Sequence, residues 1–269
     1  MTDTIVLLPR GATGSSSWNA VARSLVSSRA RVFALNMFGF GASPAPTGSY
    51  AIAEEVAHLI RGLGLQPRSC NGMIYAVGFG GTFHLVTHSL GSLIGLHLRR
   101  ALGARVRRMT LVDPVVVSAL RECGEDDAYA EMEEQYQRFM SLSADHEAAA
   151  HYFVDHWGGA GAWDSMGSRG RTTVRSLVPT LRLEMTATRS DTATLGWLAE
   201  SPPPTTILVG ERTLLAPRAA ARLLRTALGA TTVVVSGAAH MIPITHPQAV
   251  ADAVRREVVA PNQSQGERA

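Results

Sequence analysis

FHLVTHSLGSLIG, Phe83 to Gly95, joins two periodicities at one serine. Phe83, Leu85 and Val86 read as the end of a short buried strand, and Leu93, Ile94 and Leu96 open an apolar helical face that continues through Leu98 and Leu102. Ser89 stands between them. A serine in a tight strand-to-helix turn has its hydroxyl held out at the top of a sheet, with small neighbours letting the turn close. Gly91 supplies one of them; on the near side, where a G-x-S-x-G elbow has glycine, the chain has Thr87. The backbone N–H of Leu90 then points where a developing negative charge would sit, backed by the positive end of the helix. Serine is also a common N-cap, so this stretch alone leaves a structural role open.

Outward from the turn, strand and helix alternate. Thr4–Leu8 (TIVLL) is a strand buried on both faces, followed by a Gly/Ser stretch and a helical pattern opening at Trp18. Arg31–Leu35 is a second strand leading into the glycine-rich turn Asn36–Pro44, and Ile52–Leu63 has helical spacing. Gln66–Thr82 has little period and reads either as a long loop or as a loop holding a short strand at Met73–Val77. Val106–Val112 is a further buried strand, ending on Asp113-Pro114. From about Val116 to Ser201 the strands give way to helical segments, Asp126–Leu142, Asp145–Trp157 and Thr173–Met185, with a break at Gly158–Trp163. Strands return at Thr205–Val209 and Thr231–Val235, and Pro247–Val258 is a final helix. The pattern predicts an α/β fold, a doubly wound and mostly parallel sheet with a helical cap inserted after the strand that ends at Asp113. The expected division is 1–115 and 202–260 for the core, 116–201 for the cap and 261–269 for a disordered polar tail.

Composition narrows the chemistry. The 269 residues contain no lysine, so the basic set of 25 is all arginine, and Schiff-base, P-loop and Ser-Lys chemistry are excluded. The isoelectric point is near 9.2 but the formal charge is only +3, and no arginine run is interleaved with aromatics, so no nucleic-acid partner is expected. Cys70 and Cys123 stand outside any C-x-x-C or Cys/His cluster, which suits free thiols in a reducing compartment. The start, MTDTIVLLP, carries no export signal, and no uncharged run of about 18 apolar residues exists. A cytoplasmic protein without a membrane span is the expectation.

A serine nucleophile needs a base, and nine histidines compete. His58, His97, His146, His151, His156 and His246 fall in helices or at their starts, His84 in the elbow strand and His88 in the turn beside the serine. His240 instead follows the last strand at its carboxyl end, the edge where Ser89 also lies and where open parallel sheets carry their crevice. For the carboxylate that orients the imidazole, two strand ends offer Asp113 and Glu211. His151-x-x-x-Asp155-His156 has helical spacing compatible with metal ligation but neither an H-E-x-x-H pattern nor a cysteine partner, so no metal is expected there, and Gly78-x-Gly80-Gly81 lacks a dinucleotide context. No cofactor is expected.

The order of strand, Gly-rich turn, T-H-S-L-G elbow, helical insert and late Gly237-Ala238-Ala239-His240 resembles the α/β-hydrolase fold superfamily over residues 4 to 258. The family's G-x-x-D after the strand TTILV is here Gly210-Glu211-Arg212-Thr213, and threonine cannot be that acid. Some members carry the acid after the strand before the cap, where LVDP supplies Asp113; the stretches FVDHWGGAGAW and HMIPITHP look like a bacterial subgroup of that kind, which favours Asp113 over Glu211. The resemblance implies Ser89 as nucleophile, His240 as base and Asp113 as its partner, with the amides of Leu90 and Ala12 (Gly11 in an alternative register) as the oxyanion hole. Arg10 replaces the usual histidine of that loop, and Asn36 an aspartate. It also implies a serine hydrolase acting on an ester, thioester or lactone with a hydrophobic acyl part, since haloalkane and epoxide chemistry in this fold uses an aspartate nucleophile. A non-hydrolytic member, catalysing a cyclisation or binding a small molecule, is the alternative, and a partner-binding scaffold is the third.

Overall fold

The computed structural model describes residues 4–9, 11–26, 30–46, 48–70, 73–78 and 81–259. Six strands form one parallel sheet: β1 (Thr4–Leu8), β2 (Arg31–Ala34), β5 (Phe83–His88), β6 (Val106–Val112), β7 (Thr205–Gly210) and β8 (Thr231–Val235), in the spatial order β2-β1-β5-β6-β7-β8. Every pairing within it is parallel. The order reverses at β1, so the chain winds first one way and then the other from the middle of the sheet, and the crevice expected of such a sheet opens above β1 and β5.

The apolar residues of the strands divide by parity, as a period of two requires. Val6, Leu8, Leu85, Met109, Leu111, Ile207 and Val209 face one layer, where α2 (Ile52–Gly62), α3 (Gly91–Leu102) and α10 (Leu215–Leu228) pack. Ile5, Leu7, Val86, Val112 and Leu208 face the other, against α1 (Asn19–Leu25) and α12 (Pro247–Val259). The central strands are buried on both faces, whereas the edge strands β2 and β8 alternate or lie open to solvent.

Between β6 and β7 run six helices: α4 (Val117–Glu122), α5 (Asp126–Leu142), α6 (His146–Gly158), α7 (Ala162–Ser165), α8 (Ser168–Arg189) and α9 (Leu195–Leu198). Their apolar side chains, among them Phe139, Phe153, Trp157, Trp163, Val178 and Leu181, form one cluster that also takes in Ala12 and, from α10, Ala216, Ala219 and Ala220. Asp145 caps α6 by accepting from the Glu147 and Ala148 amides. Helix α8 is longer than its apolar spacing suggests and continues through Pro179.

The stretch left open in the sequence, 66–82, contains a hairpin. β3 (Gln66–Cys70) pairs antiparallel with β4 (Met73–Val77) as a separate two-stranded ribbon packed on α2 and α3. The strand at Met73–Val77 is there, and its partner QPRSC, without apolar alternation, is the element the pattern could not reveal. His88 also differs from expectation: it closes β5, and the turn begins one residue later at Ser89. The tail 261–269 and Arg10 lie outside the described residues.

Candidate active site

Ser89 sits at φ +57°, in the left-handed region that a side chain seldom occupies. The turn is held by backbone bonds on both sides: the Ser89 N–H donates to the Val112 carbonyl at 3.0 Å, and the Ser89 carbonyl accepts from Ser92 and Val115. Close packing explains the glycines. A Cβ on Gly91 would lie 2.3 Å from the Pro9 carbonyl oxygen, so only glycine lets the helix start against the loop after β1. Thr87 takes the place of the elbow's first glycine because Gly95, one helical turn on, leaves room for its methyl group; a Cβ there would lie 2.5 Å from Thr87 Cγ2. The Thr87 and Ser92 hydroxyls share a hydrogen bond of 3.0 Å.

His240 comes to this serine from the loop after β8, 151 positions away. Its Nε2 lies 2.8 Å from Ser89 Oγ and its Nδ1 2.6 Å from Asp113 Oδ2. All three residues are buried. Asp113, at the end of β6, has φ +46°, and its other oxygen accepts the Gly210 N–H at 3.0 Å. Thr213 donates its hydroxyl to the oxygen that faces His240. Burial pushes the Asp113 carboxyl up to about 6, against the pull of the Thr213 and Gly210 bonds. Gly210 is also needed for its size, since a Cβ there would meet the Ala238 and Ala239 carbonyls within 2.8 Å; without one, the His240 loop closes on β7.

Glu211 is elsewhere. Its carboxylate is solvent-exposed and accepts from the Gly237 amide at 2.7 Å and the Ser236 hydroxyl at 3.1 Å, bracing the His240 loop from outside. Those bonds, the Gly237 amide first, hold its carboxyl below the usual range. Of the two candidate acids, the fold brings Asp113 to the imidazole.

Three contacts around His240 and its acid went unforeseen. The His88 Nε2–H donates to the His240 carbonyl at 2.8 Å, fixing the loop's backbone, and the two rings lie 5.0 Å apart. Trp157, near the end of α6, covers the imidazole with ring centroids 4.3 Å apart at 35°. Thr213, the residue that cannot be the acid, serves the acid. Only this last was within reach of the sequence, since it stands where the G-x-x-D motif has its aspartate.

Ala12, at φ +61°, lies in the loop after β1. A Cβ on Gly11 would be 3.6 Å from the Leu90 side chain, so this loop and the elbow are neighbours. Among the described residues no acceptor takes the N–H of either Leu90 or Ala12. Asn36 ties the two glycine-rich loops together, its Oδ1 accepting the Ser15 N–H at 2.7 Å. The space above Ser89 is a cavity of about 60 Å³, walled by Leu90 and Val115 from the core and by Met132, Phe153, Trp157 and Leu181 from α5, α6 and α8.

Among the described residues no three His, Cys, Asp or Glu side chains gather as a metal site; His151 bonds Asp155 at 3.3 Å and stacks on Trp163. No helix there is long and apolar enough to cross a membrane. Cys70 and Cys123 are free and exposed.

Comparison with known proteins agrees with the fold. A hydrolase from Pseudomonas aeruginosa PA01 superposes over 96% of this chain and 91% of its own, with a TM-score of 0.73 and 22% identity. MGS-M2, an alpha/beta hydrolase enzyme from a Medee basin deep-sea metagenome library, does so over 97% and 90%, with a TM-score of 0.74 and 17% identity. The probable lysophospholipase BODYGUARD 3 of Arabidopsis thaliana is 32% identical over 91 residues, which are 34% of this chain but only 16% of that much longer protein. The model of the alpha/beta hydrolase family matches residues 5–253, and the chain therefore belongs to that family.

Proposed function

We propose that the protein is a serine hydrolase that cleaves an ester, thioester or lactone with a hydrophobic acyl part. The observation that carries this reading is the buried line from Ser89 Oγ through the His240 ring to Asp113, with separations of 2.8 and 2.6 Å. Those are the lengths at which a proton passes from hydroxyl to imidazole.

Ser89 attacks the carbonyl carbon as His240 Nε2 takes its proton. Asp113 keeps the Nδ1–H tautomer and stabilises the imidazolium as it forms. The oxyanion of the tetrahedral intermediate is received by the amides of Leu90 and Ala12, the first reinforced by the start of α3. His240 then returns the proton to the leaving oxygen or sulfur, leaving an acyl-serine. Water, deprotonated by the same imidazole, attacks the acyl-serine; the acid leaves and Ser89 regains its proton. Residues 116–201 act as the cap, and the apolar side chains they hang over Ser89 bind the acyl group while keeping bulk water out.

A fluorophosphonate probe tests this directly. Wild-type protein is modified once per chain; Ser89→Ala is inert, and His240→Ala reacts at least about 10³-fold more slowly. A wild-type protein that does not react, although folded, rules the reading out.

A further inference from the structure

Helix α5 buries Ala128, Met132, Gln135 and Phe139, residues four, three and four apart, which is the spacing of one helical face. Three of them are apolar. Gln135 stands inside this stripe, 1% exposed, and its amide nitrogen finds no hydrogen-bond partner among the described residues. It lines the same cavity as Ser89, beside Met132, Phe153 and Met185.

A buried amide without a partner weakens a fold, and methionine or leucine would complete the stripe without that cost. Packing therefore does not account for glutamine at 135. Of the other polar side chains of the cavity wall, the Thr188 hydroxyl donates to the Glu184 carbonyl within α8, Arg189 holds Glu133 by two of its N–H groups, the Tyr136 hydroxyl is 3.4 Å from that of Thr186, and Glu184 is a fully buried carboxyl. Gln135 thus brings to the cavity wall a carboxamide whose N–H groups have no partner among the described residues, beside apolar side chains and the Glu184 carboxyl.

We propose that Gln135 is the polar contact of the acyl pocket, donating from its carboxamide to an oxygen carried along the acyl chain of the substrate. The inference rests on the serine-hydrolase reading above and deepens it. The substrate class it names is an oxygenated acyl ester, thioester or lactone, with a keto, hydroxyl or ether oxygen set in a chain that is otherwise apolar. A site built to bond an oxygen discriminates strongly against the analogue that lacks it, because the carboxamide then stays unpaired.

The test uses p-nitrophenyl esters of one chain length, the all-carbon parent and a set in which a single ether oxygen is moved along the acyl chain. Wild-type protein is expected to favour one oxygen position over the parent by about tenfold or more in kcat/KM. Gln135→Met, equal in length and apolar, is expected to lose that preference, to turn over the parent at least as well, and to melt at a higher temperature than wild type. Gln135→Leu is the second variant, and fluorophosphonate labelling of Ser89 at the wild-type rate shows that the reacting groups are intact in both. Labelling and parent turnover with no favoured oxygen position, a preference retained in both variants, or a lower melting temperature in both would each overturn the role of Gln135 while leaving the hydrolase reading standing. Absence of labelling in wild type sinks the hydrolase reading, and this one falls with it.

Discussion

Thr213 donates to the Asp113 oxygen that faces the imidazole, from the position where the family's commoner motif has its carboxylate. One place beside the imidazole can thus be reached from two strand ends, and this chain fills it from β6 and uses the β7 side to hold it. Asp113→Asn is expected to lower kcat for a p-nitrophenyl ester by about 10³- to 10⁴-fold, because an amide favours the wrong imidazole tautomer. Adding Thr213→Asp is expected to restore part of that loss, and Glu211→Gln to change kcat by less than about threefold. Steady-state kinetics of the four proteins decide it: full activity in Asp113→Asn, or a large loss in Glu211→Gln, moves the acid away from Asp113. At this scale much was legible. Ser89 announced itself by the change of period around it, and His240 by following the last strand. Asp113 and Glu211 both follow strands; the family resemblance favours Asp113, and the side on which each strand end opens, which depends on packing, is what brings it and not Glu211 to the imidazole.

At the scale of elements, the meeting of insert and core at His240 is what no local pattern could show. Trp157 belongs to the apolar face of α6 in the sequence, and in the fold that face reaches across to the imidazole at 4.3 Å. An indole face attracts an imidazolium, which in the mechanism proposed above forms each time Ser89 gives up its proton, and such a contact is worth about 0.5 to 2 kcal/mol as water is excluded. Trp157→Leu is therefore expected to lower kcat by about tenfold and to move the acidic limb of the kcat/KM profile to lower pH by about half a unit to one unit. An unmoved limb with unchanged kcat would mean the indole is only wall. The hairpin β3–β4 was hidden for a related reason. It packs by one side on α2 and α3 while Met73, Tyr75 and Val77 lie exposed, so neither strand needs the apolar content by which the central strands declared themselves.

Across the whole molecule, the doubly wound order sets the glycine-rich loops and the elbow over one edge of the sheet, and the loops must be held there against solvent. Glu55 of α2 does part of this, fully buried, with its carboxylate accepting the Phe38 N–H at 3.0 Å. Burial raises its carboxyl to about 7, with the Phe38 amide and the Tyr50 hydroxyl working the other way. Between about 4.5 and 7 the folded chain keeps a proton there that the unfolded chain releases, so stability is full below that window, falls as pH rises through it, and stays reduced above it. Asp113, raised to about 6, acts in the same direction between about 4 and 6. Glu55→Gln keeps an acceptor for Phe38 and cannot ionise. Urea denaturation at pH 5, 6, 7 and 8 is expected to show wild type losing about 3 kcal/mol more than the variant across the series, with the two proteins close at pH 5 and the variant the more stable at pH 8. Parallel curves would mean that Glu55 ionises in the fold much as it does in water, its carboxylate then accepting the Phe38 N–H in charged form across the whole range.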